Sequence, residues 1–198
     1  MTAAVILAAG SGSRLGGVAK ALLVHEGRTF LEHIVDLVRA DGGGPCIVVV
    51  GAPYGDEVAR YARSLPGMGM FTVHNPDPSR GMASSIALGF TYVEPSTRLA
   101  GVQAAYLWPV DHPFILPSTL ARLREVAIEG TIARPTYQGR GGHPPLIPRA
   151  QWAQFASCTD VEGGARGVMS KLRVVDVVVD DPGVVRDVDT SEDRKALT

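Results

Sequence analysis

Short apolar runs alternate along this chain with longer stretches in which apolar residues return every three or four positions. Residues 5–9 form an uninterrupted apolar run that stops at Gly10, and 46–50 (Cys-Ile-Val-Val-Val) form a second. Runs of this length, bounded by glycine or proline and rich in β-branched residues, predict buried strands. Residues 70–74, 104–110, 132–137 and 174–180 read the same way. Between them, 29–40 carries Phe30, Ile34, Leu37 and Val38 at helical spacing and is stopped by Gly42-Gly43-Gly44-Pro45. Helices are also predicted over 54–65, which Pro66 stops, over 81–93, with Ile86, Leu88, Phe90 and Val93 packing inward, and over 117–128. Proline opens the last of these, where a missing N–H costs least. Shorter helices are predicted over 151–155, 165–172 and 191–197.

Strands separated by helices of this size imply βαβ units, hence α/β architecture with a mostly parallel central sheet and helices on both faces. No internal repeat or low-complexity linker divides the chain, so residues 1–198 are expected to form one domain. Ligands of open parallel sheets bind beyond the carboxyl ends of the strands. The loops that follow the strands are therefore where chemistry is sought.

Composition narrows the field. Apolar residues make up 45% of the chain and charged residues 20%, with a net charge of −1. That balance gives no electrostatic reason to expect nucleic acid or membrane as a partner. The opening apolar run has no basic residues before it and is broken by glycine, so it reads as a strand and not a signal peptide. No apolar run reaches membrane-spanning length, and a cytoplasmic location is expected. Cys46 and Cys158 match no metal spacing and read as two buried thiols.

The first strand leads into Leu7-Ala8-Ala9-Gly10-Ser11-Gly12-Ser13-Arg14-Leu15-Gly16-Gly17-Val18-Ala19-Lys20. Glycines let backbone N–H groups close on phosphate oxygens, and Arg14 and Lys20 add positive charge. A dinucleotide fingerprint would place its third glycine one position earlier and an acid at the end of the second strand; here Glu32 and Asp36 fall inside a helix. A P-loop would follow glycine with Lys and then Ser or Thr, whereas Lys20 stands between two alanines. What remains is an extended signature, L-A-A-G-x-G-x-R-x-G-x-x-x-K, weighed against a plain glycine turn bearing two solvated cations.

Other loops carry candidate chemistry. Asp111 follows the strand 104–110 in Pro109-Val110-Asp111-His112-Pro113, where a hard carboxylate oxygen suits Mg²⁺ alongside substrate phosphates. Asp187-Val188-Asp189-Thr190-Ser191-Glu192-Asp193 is a helix-start signal or a second acidic site. Asn75-Pro76 follows a strand, and Gly81-Met82-Ala83-Ser84-Ser85 opens a helix whose free N–H groups and hydroxyls can meet a ligand. Gly141-Gly142-His143-Pro144-Pro145 exposes a histidine in a loop, and Gly164-Ala165-Arg166 offers a cation.

Taken in order, these segments resemble the nucleotidyltransferases related to molybdopterin guanylyl- and cytidylyltransferases. The resemblance implies a three-layer Rossmann-like nucleotidyltransferase fold. It implies that Leu7, Ala8, Ala9, Gly10, Gly12, Arg14 and Lys20 wrap the triphosphate, and that Arg14 and Lys20 neutralise charge during transfer. Asp111 and Asp189 would hold Mg²⁺, with Asp187 less favoured. Asn75, Gly81, Ser84 and Ser85 would contact base and ribose, while His112, Gly142, His143 and Arg166 would face the acceptor. The chain departs from the family pattern at Asp-His-Pro (for Asp-Met-Pro), at Ser191 (for proline) and at Glu162 (for aspartate). Leu-Ala-Ala-Gly and Gly-His-Pro resemble the cytidylyl branch, so the implied reaction is CMP transfer from CTP to molybdopterin, which a recipient molybdoenzyme would then take up. Alternatives are guanylyl transfer to the same acceptor, transfer to a sugar or polyol phosphate, and a non-catalytic nucleotide-binding chaperone that hands on a cofactor.

Overall fold

The protein is described from a computed structural model that covers residues 1–67, 69–93, 99, 101–127, 130–190 and 192–193, the Arg14 side chain excepted. In chain order the strands and α-helices are β1 (Thr2–Ala8), β2 (Val24–His25), β3 (Arg28–Thr29), α1 (Phe30–Ala40), β4 (Cys46–Gly51), α2 (Gly55–Ser64), β5 (Met70–Asn75) and α3 (Met82–Val93). They continue with β6 (Ala104–Pro109), α4 (Pro117–Val126), β7 (Ile132–Tyr137), β8 (Arg140–Gly141), β9 (Leu146–Pro148), α5 (Trp152–Ala156), α6 (Gly164–Met169) and β10 (Val174–Val178).

The main sheet runs β10-β7-β9-β6-β1-β4-β5, with β8 paired to β7. β1 lies inside it, between β6 and β4, and Ala3 to Leu7 are buried. Alternate residues of β1 serve opposite layers. Ala4, Ile6 and Ala8 pack with Phe30, Ile34 and Val38 of α1, Val58 and Ala62 of α2, and Leu120 and Leu123 of α4. Ala3, Val5 and Leu7 pack with Ile86 and Phe90 of α3 and Trp152 and Phe155 of α5. Both cysteines are buried and unpaired. No helix among the described residues is long and apolar enough to cross a membrane.

In the main sheet β1 pairs in parallel with β4 and β6, β4 with β5, and β7 with β10. β9 is antiparallel to both of its neighbours, and the short β8 is antiparallel to β7. β9 has three residues, the last of them Pro148, too few to show an alternating pattern, and its sequence did not predict a strand. Its reversal has a spatial result. Leu107 N–H donates to Pro145 O at 3.0 Å, so the loop entering β9 arrives at the edge where β6 ends.

Other differences from the sequence reading are local. Helix α1 starts one residue after Thr29, which caps it: Thr29 Oγ1 accepts from Glu32 N–H at 3.1 Å, and the Glu32 carboxylate accepts from Thr29 N–H at 2.7 Å. Such a reciprocal cap contributes about 1 kcal/mol. Leu37 and Leu88 are half-buried because they fall on the flanks of the faces that α1 and α3 bury. Helix α6 spans Gly164–Met169, shorter than 165–172 at its end, and β10 stops at Val178 before the buried Asp181 turns the chain. The predicted helix 191–197 lies outside the described residues except for Glu192 and Asp193, as does Ile128 at the end of the predicted helix 117–128.

Candidate active site

The carboxyl ends of β1 and β6, the segment after β5 and the start of α3 surround a cleft of about 270 Å³. Leu7, Ala8, Ala9, Gly10, Lys20, Gly81, Ser85 and Asp111, all singled out from the sequence, line it. Pro78, Met82, Pro109 and Val110 complete the wall, and the sequence reading had passed over their roles. Met82 is 57% exposed and gives the wall an apolar side chain.

After Ala9 the chain makes a tight loop. Gly12 sits at φ 58°, and its carbonyl accepts from Leu15 N–H at 2.9 Å and Gly17 N–H at 3.0 Å. A Cβ there would stand 2.0 Å from Val18 O, so only glycine fits. The Tyr54 hydroxyl donates to Gly17 O and braces the loop from α2's side. Arg14 belongs to the turn Ser13–Leu15; its proposed role rests on a side chain outside the described residues.

Lys20 follows the loop and joins three distant parts of the chain. Its Nζ donates to Asp111 Oδ2 at 3.2 Å and to Asp189 Oδ1 at 2.5 Å. Burial by itself would lower the Lys20 pKa, but the hydrogen bond to Asp189 and the Asp111 charge outweigh it and hold the ammonium above its ordinary value. Asp189 is delivered by local structure. Thr190 and Asp193 form a reciprocal turn, with Thr190 N–H donating to Asp193 Oδ2 at 2.8 Å and Asp193 N–H to Thr190 Oγ1 at 3.2 Å. The Thr190 hydroxyl, then the Thr190 and Asp189 N–H groups, all donate to the Asp193 carboxylate and keep its pKa below the usual value. Val188 N–H donates to Asp111 O at 2.9 Å, which fastens the two acidic segments together.

Asn75 is buried and does not line the cleft. Its Nδ2 donates to Ser84 Oγ at 2.8 Å and Ser85 Oγ at 2.9 Å, and its Oδ1 accepts from Asp77 N–H at 3.0 Å. Asn75 therefore fixes the start of α3, and Ser84, which donates to Gly81 O at 2.7 Å, is spent in the same network. Ser85 is the one of the three that reaches the cleft wall.

Beyond Asp111 lies a pair of imidazoles. The His112 and His143 ring centroids are 4.9 Å apart. His143 Nδ1 is buried without a hydrogen-bond partner among the described residues. Burial, then the His112 and Arg166 charges, push its pKa down to about 4, against the opposing pull of the Leu107 backbone and Asp187. The ring is neutral at physiological pH. Arg166 is exposed on α6, close enough for its charge to act on His143. His112, Gly142, His143 and Arg166 thus gather to one side of the cleft, and none of them forms its wall.

A profile of the MobA-like NTP transferase domain matches residues 4–177. Over 202 aligned positions the chain is 32% identical to a protein of Paenarthrobacter nicotinovorans named nicotine blue oxidoreductase, covering 98% of this chain and 94% of that one. A molybdenum cofactor guanylyltransferase of Acidiphilium cryptum is 35% identical over 121 residues, 61% of this chain and 55% of its own length. The fold superposes on the crystal structure of Rv0371c from Mycobacterium tuberculosis H37Rv with a TM-score of 0.77 and 25% identity, covering 99% and 96% of the two chains. A structure of Rv0371c in complex with manganese matches at a TM-score of 0.71. A domain match spanning most of the sheet, the glycine-rich loop and Asp111 establishes that this chain belongs to the MobA-like NTP transferase family.

Proposed function

We propose that the protein transfers a nucleoside monophosphate from an NTP to a phosphate of a small acceptor of the molybdopterin class, releasing pyrophosphate. The observation that carries this reading is Lys20 held between Asp111 and Asp189 at the rim of a cleft walled by the glycine-rich loop. An acceptor phosphate oxygen attacks the α-phosphorus, the bond to the bridging oxygen breaks, and pyrophosphate leaves with that electron pair. The acceptor is already ionised, so no general base is needed. The chain's part is to position the reactants and neutralise charge. Loop amides and Lys20 face the phosphates, Ser85 and Gly81 face the nucleoside, and the His112–His143 pair with Arg166 faces the acceptor.

The acidic residues fit a divalent cation. Among the described residues no group of three or more His, Cys, Asp or Glu side chains converges to hold a metal by itself. Two carboxylates that leave the remaining positions to substrate oxygens is how Mg²⁺ is ordinarily bound. Asp111 and Asp189 would hold it, and when bound it supplies further charge neutralisation for the phosphates.

Leu-Ala-Ala-Gly and Gly-His-Pro favour CTP, while the guanylyltransferase relative favours GTP. Pyrophosphate release with each NTP, Mg²⁺ and molybdopterin decides between them; CTP is expected to support turnover. Asp111→Asn is expected to abolish release while leaving the folded content intact. Near-normal release by that variant would remove the metal assignment, and release with GTP alone would reassign the base. Nucleotide binding without any release would instead indicate a carrier.

The relative named an oxidoreductase is matched over 94% of its length and gives a second reading, reduction of a small acceptor. Oxidation of a reduced nicotinamide nucleotide in the presence of a dye acceptor, with no pyrophosphate from any NTP, would establish that reading over the first.

A further inference from the structure

Asp181 is 2% exposed and lies outside the cleft. A buried carboxylate is costly unless its oxygens are satisfied, and these are. Oδ2 accepts from Leu116 N–H at 2.8 Å and from the Thr119 hydroxyl at 2.6 Å, both at the start of α4. Oδ1 accepts from Gly183 N–H at 2.9 Å, closing the turn Pro182–Val185 back onto the same side chain.

The carbonyls of that turn meet the two histidines. Gly183 O faces His112 Nδ1 at 3.4 Å, and Val184 O accepts from His143 N–H at 2.8 Å. The fit is close on both sides. A Cβ on Gly142 would stand 2.2 Å from Val184 O, and one on Gly183 would stand 1.9 Å from Phe114 O. From the turn the chain runs directly to Val188, tied to the Asp111 carbonyl, and to Asp189 on Lys20.

We infer that Asp181 is a positioning residue: it pins the 181–189 segment to α4 and so sets where His112 and His143 stand relative to the cleft. The consequence for catalysis, control of acceptor recognition, rests on the acceptor role given to the histidine pair above; the positioning itself does not.

The test is amide hydrogen exchange at His143, with the acceptor KM as a second readout. Asp181→Asn keeps the shape but puts an NH₂ donor where only donors converge, so one side of the clip must open. Loss of a hydrogen bond to a charged group corresponds to about a tenfold change or more. The His143 amide is expected to exchange at least about tenfold faster on that basis, with the amides of β4 unchanged. The acceptor KM is expected to rise by a larger factor than the NTP KM. Thr119→Val removes one of the two α4 donors and leaves Leu116 N–H in place, so it is expected to speed the His143 amide less than Asp181→Asn does. Wild-type exchange at His143 in Asp181→Asn would overturn the inference. Should Asp181→Asn fail to fold, Pro182→Gly loosens the turn at an exposed position without touching the carboxylate. Faster exchange at His143 in that variant supports the clip, and a wild-type rate overturns it. Faster exchange with an unchanged acceptor KM keeps the clip and removes the acceptor role from the histidines.

Discussion

Replacing Lys20 with methionine removes one charge from a site that contains two of the opposite sign. The ammonium is 11% exposed as a side chain, and its partners Asp111 and Asp189 are 22% and 25% exposed. Unit charges about 4 Å apart attract by about 4 kcal/mol at the effective dielectric near a protein surface. Desolvation of the lysine offsets much of this, as the direction of its burial effect shows. Fully exposed pairs contribute about 0–1 kcal/mol, and breaking a buried pair costs about 3–5 kcal/mol. This cluster lies between those cases, so Lys20→Met is expected to cost about 2 kcal/mol. In a chain of this size that corresponds to a fall in Tm of about 4–8 °C. Because the lysine pKa is raised on folding, its contribution is complete below pH 10.5 and is lost as pH rises from there through the raised value. Calorimetry at neutral pH therefore reads the whole effect. Adding Mn²⁺ is expected to raise the Tm of the variant more than that of wild type, since the two carboxylates then lack their cation. Transfer by the variant is expected to fall by about 10²–10³, the range for losing one charge-stabilising contact. An unchanged Tm with an unchanged response to Mn²⁺ would show that Lys20 does not organise the acidic pair.

Gly12→Ala drives a Cβ into the Val18 carbonyl at a backbone conformation that alanine resists, so nucleotide-dependent stabilisation should disappear while the apo protein stays folded; equal stabilisation by NTP in wild type and variant would refute the loop assignment. His143 titrates at about 4 in the folded protein against 6.5 ordinarily, so the unfolded chain binds the extra proton first and stability falls as pH drops from 6.5 toward 4. Up to about 1.4 kcal/mol per pH unit is at stake in that window, and denaturant melts of His143→Gln are expected to be flatter there than wild type. A variant with the wild-type slope would place the acid sensitivity elsewhere.

What the sequence made legible was local. The glycine-rich loop, Asp111 and the Asp189-Thr190 turn each declare themselves within a dozen residues, because turn chemistry and strand ends leave their mark at fixed short offsets. Their meeting is another matter. Nothing in the spacing of Lys20, Asp111 and Asp189 says that one ammonium joins them; the parallel β1–β6 pair brings the first two to one edge, and the Val188 bond to the Asp111 carbonyl brings the third. Asn75 was read as a nucleotide contact from the family resemblance of its segment; its Nδ2 donates instead to Ser84 and Ser85, which carry no mark of that pairing in the local sequence. Asp181 escaped notice because its partners Leu116 and Thr119 are more than sixty positions away and carry no motif. The reversed strand β9 was hidden by its length.

The lysine clasp also has a temporal side. Its two bonds span 91 and 169 positions of chain. Closing the longer loop costs less than about 0.6 kcal/mol beyond the shorter, because closure entropy grows only with the logarithm of length. The separation matters instead for order of events: non-local contacts are made late, and the residue that completes the clasp follows every strand of the sheet. A nascent or partly folded molecule can therefore own an intact glycine loop and sheet while lacking its second carboxylate. Competence at this site is thus a report that the whole chain, and not merely its nucleotide-facing half, has reached its place.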